Sequence, residues 1–226
     1  MPEKPLHLAI IADGNRRWAK TQGWLPWKGH EYAMDTFRTI LEWCKEDGRI
    51  GTLTIWAFST ENWKRDPEEV AKLMSLFEKF MMEERENLVK KEIRFTHTGR
   101  RDRIPASLAT LFEESEKQTS AFTGFGLNLA IDYGGRDEVV RAVRTLEDSK
   151  NATEDTIRSH LDHPEIPDID LIIRTSGEQR TSNFFLWQST YAEWFFLPTH
   201  FPELSGEHIH ECLVAFEKRS RRFGGG

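Results

Sequence analysis

The sequence predicts an α/β fold, a single domain whose central, mainly parallel β-sheet is flanked by helices. Apolar runs such as LHLAIIA (Leu6–Ala12) lack polar alternation, which is typical of parallel strands buried on both faces. These runs alternate with segments of helical periodicity, as in α/β folds. No repeat or low-complexity linker divides the 226 residues, so we expect one domain spanning residues 1–226.

The other elements follow from periodicity and from start and stop signals. Runs rich in β-branched, aliphatic and aromatic residues predict the strands TLTIWAF (Thr52–Phe58), IRFTH (Ile93–His97), GLNLAID (Gly126–Asp132) and IDLIIRT (Ile169–Thr175). Apolar residues at helical spacing predict the helices Lys28–Asp47, one opening at Pro67 and continuing to Leu88, Pro105–Lys117, Asp137–Leu146 and Ser205–Lys218. We expect a short surface helix within the polar stretch Glu147–Asp168.

Composition excludes several classes of function. The formal net charge of −6 disfavours a generally basic, nucleic-acid-binding surface. The start MPEKPLHL does not match a signal peptide, and no apolar run reaches the roughly 18 residues of a spanning helix. Cys44 and Cys212 form no CxxC pair, which favours a reduced, cytoplasmic setting with both in the core. His208 and His210 fall on different faces of a helix, so we expect a solvated surface there and no metal site.

Four predicted strands are followed by polar segments that each contain arginine. These segments are Asp13–Arg17, Ser59–Arg65, Tyr133–Arg136 and Arg174–Asn183. Ligands of open α/β sheets bind outside the carboxyl ends of the strands, and guanidinium groups match phosphate oxygens. A carboxylate among them, Asp13, suggests a divalent cation between it and the phosphates. The pattern therefore predicts a diphosphate or triphosphate ligand with Mg²⁺.

The alternatives at these positions are ordinary. Arginines after strands often form surface salt bridges. Neither GxxxxGK[ST] nor GxGxxG occurs, which disfavours the common nucleotide-binding loops, and the absence of GxSxG disfavours a nucleophile elbow.

Across nearly its whole length, the chain resembles the cis-prenyltransferases, the undecaprenyl diphosphate synthase-like family. The motifs that carry the resemblance are HLAIIADGNRRWAK (His7–Lys20), GH (Gly29–His30), WAFSTENWKR (Trp56–Arg65), LNLAIDYGGR (Leu127–Arg136), DLIIRTSGEQRTSNFFLWQSTYAEWFF (Asp170–Phe196) and RSRRFGG (Arg219–Gly225). The resemblance implies a soluble enzyme that adds isopentenyl diphosphate to an allylic diphosphate, forms a Z double bond and releases pyrophosphate. It also implies a hydrophobic tunnel between sheet and helices for the growing tail.

The resemblance also implies roles for individual residues. Asp13 and Glu193 would hold Mg²⁺, and Asp13 and Asn62 would be catalytic. The allylic diphosphate would be bound by Gly14, Asn15, Arg17, Trp18, His30 and Arg65. Both substrates would be positioned by a mobile segment with Ser59, Glu61 and Trp63. Isopentenyl diphosphate would be bound by Arg174, Arg180, Ser182 and Arg222. The proton lost in the reaction would pass to a diphosphate oxygen or to Asn62 and its neighbours.

The chain departs from the family pattern in its allylic region. Pro26 stands where an arginine is common, and Lys28 nearby is a candidate substitute, which puts the preferred primer in question. Gln179 replaces a frequent histidine, and Arg16 a frequent glycine. By resemblance we expect a homodimer that contacts membranes transiently when it releases product. The aromatic segment Tyr191–Phe201 is either interface or core.

Two other functions remain open at this point. The chain could be a non-catalytic subunit of a heteromeric cis-prenyltransferase, although such subunits lose the metal aspartate and the arginines. It could also be a different phosphate-ester enzyme on a similar sheet.

Overall fold

The computed structural model describes residues 4–219. The strands are β1 (Leu6–Ile11), β2 (Ile50–Ser59), β3 (Ile93–Thr98), β4 (Phe125–Tyr133), β5 (Leu171–Arg174) and β6 (Glu193–Phe196). The α-helices are α1 (Asn15–Thr21), α2 (Pro26–Asp47), α3 (Pro67–Lys90), α4 (Ala106–Thr119), α5 (Gly135–Thr145), α6 (Glu154–Arg158) and α7 (Gly206–Glu217). Short 3-10 helices cover Thr60–Lys64, Ser149–Asn151 and Phe201–Glu203.

The strands form one six-stranded sheet in the order β3-β4-β2-β1-β5-β6. The β1–β5, β5–β6 and β3–β4 ladders are parallel. All residues of β1 and β5 are buried, as their unbroken apolar sequences predict. The predicted α/β fold with a parallel sheet and flanking helices is therefore confirmed.

Residue contacts group the described chain into two compact units. The first comprises residues 4–53, 168–180 and 191–219, and the second comprises residues 54–167 and 181–190. The prediction of a single domain stays a prediction.

In the first unit, α1 packs on α2 at a position where only glycine fits. A Cβ atom on Gly29 would lie 1.9 Å from the backbone oxygen of Asn15 and 3.2 Å from Cβ of Ala19. The missing side chain lets the start of α1 approach the α2 backbone directly. Farther along α2, Ala33, Phe37 and Ile40 are buried.

In the second unit, α3 and α4 each bury one apolar face. Asp66 caps α3 by accepting hydrogen bonds from the backbone N–H groups of Glu68 (2.9 Å) and Glu69 (3.2 Å). The apolar residues at helical spacing in α3 are buried: Val70, Leu73, Met74, Phe77, Phe80, Met81 and Leu88. The ring of Phe112 in α4 stacks on His97 in β3, with 4.3 Å between centroids.

Two elements were not predicted from the sequence. The seven residues of α1 follow Gly14 directly, and the first turn of the helix has no acidic residue. The four residues of β6 come from the aromatic segment that was expected to be interface or core, and they are only half-buried. Each is too short for periodicity to identify.

Two expectations concern lipid. The hydrophobic tunnel stays a prediction; we expect its walls to include the apolar stripes Ala33–Ile40 and Leu73–Phe80, which lie on helices with buried apolar faces. Among residues 4–219, no helix combines the length and the apolar character needed to cross a bilayer.

We expect Gly29→Ala to lower the free energy of unfolding by about 1–3 kcal/mol, since the added methyl group meets backbone and forces α1 away from α2. This loss outweighs the helix propensity gained from alanine. Urea denaturation would measure it. Gly124→Ala is the control, because nothing lies within 4 Å of a Cβ atom there. Equal stability of the two variants would contradict the close packing of α1 on α2.

Candidate active site

Three of the predicted phosphate-binding arginines meet in the first unit, together with two carboxylates. We call Asp13, Arg17, Arg174, Glu178 and Arg180 the charge cluster. Arg174 Nη2 donates to Asp13 Oδ2 at 3.0 Å, and Arg17 Nη2 donates to Asp13 Oδ1 at 3.3 Å. Arg17 Nη1 also donates to Glu178 at 2.7 Å, and Glu178 in turn pairs with Arg180. The five groups thus form a chain of alternating charge with a net charge of +1.

The charge cluster is buried at one end and exposed to solvent at the other. The Arg174 side chain is 4% exposed, whereas that of Arg180 is 59% exposed. Arg174 also donates to the backbone oxygen of Arg180, so the buried guanidinium holds the segment that carries the exposed one. The cluster is therefore fixed at Arg174 and open to solvent at Arg180.

Thr175 fixes the backbone that carries Asp13. Its hydroxyl accepts from the Asp13 N–H at 2.9 Å and lies 2.7 Å from the Asp13 backbone oxygen. Because Arg174 ends β5 opposite Ile11 of β1, the two strand ends present Asp13 and Arg174 side by side.

Gly14 is required by the tight packing behind this turn. Its φ of 95° is left-handed, and a Cβ atom would lie 2.5 Å from both Ser176 Oγ and His200 Nδ1. Ser176 and His200 are themselves hydrogen-bonded at 2.7 Å. The Ser–His pair therefore supports the turn from behind.

Asp13 is held in its ionised form. Burial acts to raise its pKa, but hydrogen bonds from Arg174 and the Gly14 N–H, with the charges of Arg174 and Arg17, outweigh burial. The pKa of Asp13 consequently lies below its ordinary value of 3.8. The carboxylate is 29% exposed, so an oxygen ligand for a hard cation is accessible.

Among the residues of α1 and α2 that were predicted to bind the allylic diphosphate, Asn15 makes polar contacts and Trp18 packs against aromatic rings. Asn15 Nδ2 donates to the Ala12 backbone oxygen at 3.2 Å and lies 3.5 Å from His30 Nδ1. Trp18 is 8% exposed and packs against Trp24 and Tyr32, with ring centroids 5.5 and 5.1 Å away. Trp18 therefore joins α1 to α2 through an aromatic cluster.

The position that departs from the family pattern opens a helix. Pro26 is the first residue of α2, where a missing N–H costs nothing. Lys28 pairs with Glu31 at 2.6 Å and lies 4.8 Å from the centre of the Trp27 ring. Lys28 is thus already neutralised by a neighbour on its own helix.

The Ser59–Arg65 segment of the second unit is ordered by its own side chains. The Ser59 N–H donates to Asn62 Oδ1 at 3.1 Å, and together the two residues form a capping box around the 3-10 helix. Trp63 Nε1 donates to Asp132 at 2.8 Å. Arg65 pairs with Glu69 at 3.3 Å, at the start of α3.

Residues 181–190 are tied to both the Ser59–Arg65 segment and α5. Ser182 and Asn183 have left-handed φ values of 52° and 69°. Asn183 donates to Glu61 at 3.1 Å and accepts from the Arg136 N–H at 2.8 Å. Near the end of this stretch, Gln188 donates to both carboxylate oxygens of Glu138 at 3.2 Å.

The structure does not bring Glu193 to Asp13 within one chain. Glu193 begins β6 opposite Leu171, which lies opposite Leu8 of β1. It is thus two strands away, roughly 10 Å across the sheet, and another ~10 Å back along the strands from Ile11. Its carboxylate pairs with Arg219 at 2.5 Å. Arg222 lies outside the described residues.

The metal prediction stays a prediction. Among residues 4–219, no group of three or more His, Cys, Asp or Glu side chains is placed to hold a metal ion. A single carboxylate with substrate phosphates would still suit Mg²⁺, which keeps several of its waters. Asp13, ionised and part-exposed, fits that donor set.

Sequence reasoning missed several residues that shape the site. Glu178 was not assigned a role, although it stands between the two arginines of RTSGEQR. Thr175, Ser176 and His200 also went unassigned. The sequence signal was weak, since these residues act through contacts with the Asp13–Gly14 turn more than 150 residues away.

Comparisons with known proteins all match this chain to prenyl diphosphate synthases and isoprenyl transferases. The model of the undecaprenyl diphosphate synthase family matches residues 11–224. A tritrans,polycis-undecaprenyl-diphosphate synthase (geranylgeranyl-diphosphate specific) from Thermococcus kodakarensis is 43% identical, over 97% of this chain and 87% of its own. An isoprenyl transferase from Fusobacterium nucleatum is also 43% identical, over 98% and 96%. The structure of lavandulyl diphosphate synthase from Lavandula x intermedia with dimethylallyl diphosphate superposes with a TM-score of 0.92 at 35% identity, covering 97% of this chain and 98% of its own.

Glu138, which anchors residues 181–190, predicts a pH-dependent stability. Burial, reinforced by the charge of Asp162, raises the pKa of Glu138 above its ordinary value of 4.5. A raised folded-state pKa gives stability that is complete below pH 4.5 and is lost as pH rises through the folded pKa. We expect Glu138→Gln to remove this loss. The unfolding free energy of the variant minus that of the wild type should therefore increase from pH 4.5 to pH 8. Denaturant unfolding across this range would measure the difference.

The control for that comparison is Glu113→Gln, because the Glu113 side chain is 66% exposed. Its unfolding free energy should run parallel to that of the wild type. If Glu138→Gln also ran parallel, the proton on buried Glu138 would have no part in stability.

Proposed function

The chain belongs to the undecaprenyl diphosphate synthase family, and we propose that it condenses isopentenyl diphosphate with an allylic diphosphate primer. The product is a prenyl diphosphate with a new Z double bond, and pyrophosphate is released. The observation that carries the proposal is the charge cluster, in which three arginines are linked through ionised Asp13 and through Glu178 and leave a net charge of +1.

The charge cluster suits a polyanion in its balance of charge. Arg17 and Arg180 share Glu178 as their partner, and both are more than a third exposed. An incoming diphosphate offers more acceptor oxygens than one carboxylate and matches guanidinium forks bidentately. We assign Arg174 and Arg180 to isopentenyl diphosphate, and Arg17 with Gly14 and Asn15 to the allylic diphosphate. By the family resemblance, we also assign Ser182 to isopentenyl diphosphate and His30 to the allylic diphosphate.

Mg²⁺ is the proposed cofactor, with Asp13 as its ligand in this chain. When bound with substrate phosphates, the ion would neutralise charge that builds on the leaving diphosphate. Arg17, which already contacts Asp13, would contribute fixed positive charge to the same oxygens. Glu193 stays a predicted ligand, without support from its placement beside Arg219.

The arrangement of Asn62 bears on the proton that leaves during condensation. The Asn62 side-chain oxygen already accepts a hydrogen bond from the Ser59 N–H, so the side-chain NH2 is the group that can donate to a substrate. A neutral amide nitrogen is not a base. We therefore propose that Asn62 positions a substrate and that a diphosphate oxygen accepts the proton.

The bond changes of the reaction balance without any further reactant. The allylic carbon–oxygen bond breaks, and its electron pair leaves with pyrophosphate. The alkene of isopentenyl diphosphate supplies the electron pair of the new carbon–carbon bond. A proton is then lost from the neighbouring carbon, which forms the Z double bond. Holding both diphosphates fixed keeps the reacting carbons in near-attack geometry.

Assembly and location are proposed on the family resemblance. We propose a cytoplasmic homodimer that contacts membranes transiently, and Arg222 belongs to this proposal. Product length would depend on the depth of the tunnel, which stays a prediction. The preferred primer stays open because Pro26, at the start of α2, stands where an arginine is common in the family.

The test is condensation by the purified full-length chain. Labelled isopentenyl diphosphate is supplied with Mg²⁺ and either dimethylallyl or geranylgeranyl diphosphate, and labelled product is extracted into butanol. We expect Asp13→Ala to lower kcat/KM by roughly a hundredfold or more, since the proposed ligand of the Mg²⁺ that would stabilise the leaving diphosphate is lost. Asp35→Ala is the control, because the Asp35 side chain is 78% exposed and pairs with Arg38 on the surface.

Chelation with EDTA should abolish product formation, and added Mg²⁺ should restore it. Turnover by the purified chain alone rules out the non-catalytic subunit. No extracted label with any primer would overturn the proposed reaction. Chromatography of the product gives its chain length in the same experiment.

A further inference from the structure

In the second unit, the buried carboxylate of Asp132 pairs with the part-exposed Arg103 and also contacts the indole of Trp63. Both oxygens of Asp132 are held by the Arg103 guanidinium, with Nε to Oδ2 at 2.8 Å and Nη2 to Oδ1. Oδ1 also accepts the Trp63 indole N–H at 2.8 Å. The Arg103 guanidinium lies 5.8 Å from the Trp63 ring centre. Three side chains from three different segments thus form one closed group.

We propose that Asp132, with Arg103 as its counterion, is a positioning residue that holds the Ser59–Arg65 segment in its working conformation through Trp63. This inference rests on the proposed function, which gives that segment the task of positioning substrates. Nothing in the reaction itself requires a carboxylate at residue 132.

The energetics favour a fixed and not a loose contact. Asp132 is fully buried, and a buried carboxylate is costly unless its charge and its lone pairs are matched. Arg103 supplies the charge and Trp63 supplies a third donor. If the indole moved away, the buried Oδ1 of Asp132 would lose one of its two hydrogen bonds and keep only that from Arg103. The position of Trp63 is therefore coupled to the burial of Asp132.

The backbone of Asp132 supports the same reading. Its φ is 51°, a left-handed conformation that is uncommon outside glycine. Its backbone oxygen accepts from the Arg100 N–H at 3.1 Å, in the turn that carries Arg103. Strained backbone persists where surrounding contacts determine it, and here it aims the carboxylate at both partners.

The rest of the segment is arranged to transmit this constraint. Trp63 packs edge-on against Phe58 in β2, with 5.2 Å between ring centroids. The capping box of Ser59 and Asn62 closes the intervening turn. Fixing the indole therefore fixes the turn that carries the amide of Asn62.

The test uses variants that spare the backbone. Trp63→Phe keeps a ring and removes the donor. Asp132→Gly removes the carboxylate and Asp132→Asn removes only the charge, and both replacements tolerate a left-handed φ. Trp56→Phe is the matched control, since the Trp56 indole donates at 3.3 Å to the Tyr133 backbone oxygen and lies outside the segment.

Amide hydrogen exchange of residues 60–64 is the first readout. We expect roughly tenfold faster exchange there in Trp63→Phe and Asp132→Gly, with Asp132→Asn nearer the wild type. Trp56→Phe should leave exchange at 60–64 unchanged. The double variant Trp63→Phe/Asp132→Gly should exchange no faster than Asp132→Gly, because both changes break one contact.

Kinetics supply the second readout. KM for isopentenyl diphosphate should rise several-fold in Trp63→Phe and Asp132→Gly, and Asp132→Asn should recover most of the loss. A merely lower folded fraction would reduce kcat and leave KM unchanged. Unchanged exchange at 60–64, or effects that simply add in the double variant, would overturn the inference. If the wild type formed no product, the proposed function would fail, while the exchange data would still decide whether Asp132 anchors the segment.

Discussion

The ion pair between Asp13 and Arg174 is the contact on which the candidate site depends. Arg174 ends β5, which lies between β1 and β6, with its side chain 4% exposed, and a guanidinium so placed needs a carboxylate partner. Asp13 can provide it only if the chain turns immediately after β1. That turn requires a left-handed glycine at position 14 and a hydroxyl at Thr175, and it directs Arg17 toward Glu178.

Much of the fold was predictable because its central strands satisfy a simple physical demand. Strands covered on both faces need continuous apolar side chains, and β1 and β5 have them. The prediction fails for β6, whose aromatic residues are only half-buried and whose four positions carry no periodicity. It fails for α1 as well, since this helix is held by packing against Gly29 and an aromatic cluster and has no capping side chain.

The arginines of the site were predictable from the sequence, whereas the carboxylates that pair with them in the structure were not predicted as their partners. Arginines after strands indicated a polyanion from sequence alone, and Arg17, Arg174 and Arg180 do converge. Glu178 could not be assigned, because its position depends on left-handed backbone at Ser176 and Gly177 that folds RTSGEQR back on itself. Glu193 stays a predicted metal ligand, although its carboxylate pairs with Arg219 and its strand lies two strands from β1. A motif match places a residue in a family pattern, whereas strand register decides what it faces in its own chain.

Glu178 gives the charge cluster a built-in competitor for its ligands. As part of the same chain, it is always present beside Arg17 and Arg180 at a high effective concentration. A weakly charged anion must displace it with fewer contacts than it makes, and so gains little by binding. A diphosphate carries enough oxygens to satisfy both guanidinium groups at once. In the proposed reaction, Glu178 would therefore favour ligands with enough charged oxygens to replace it on both Arg17 and Arg180, such as a diphosphate, over anions with fewer.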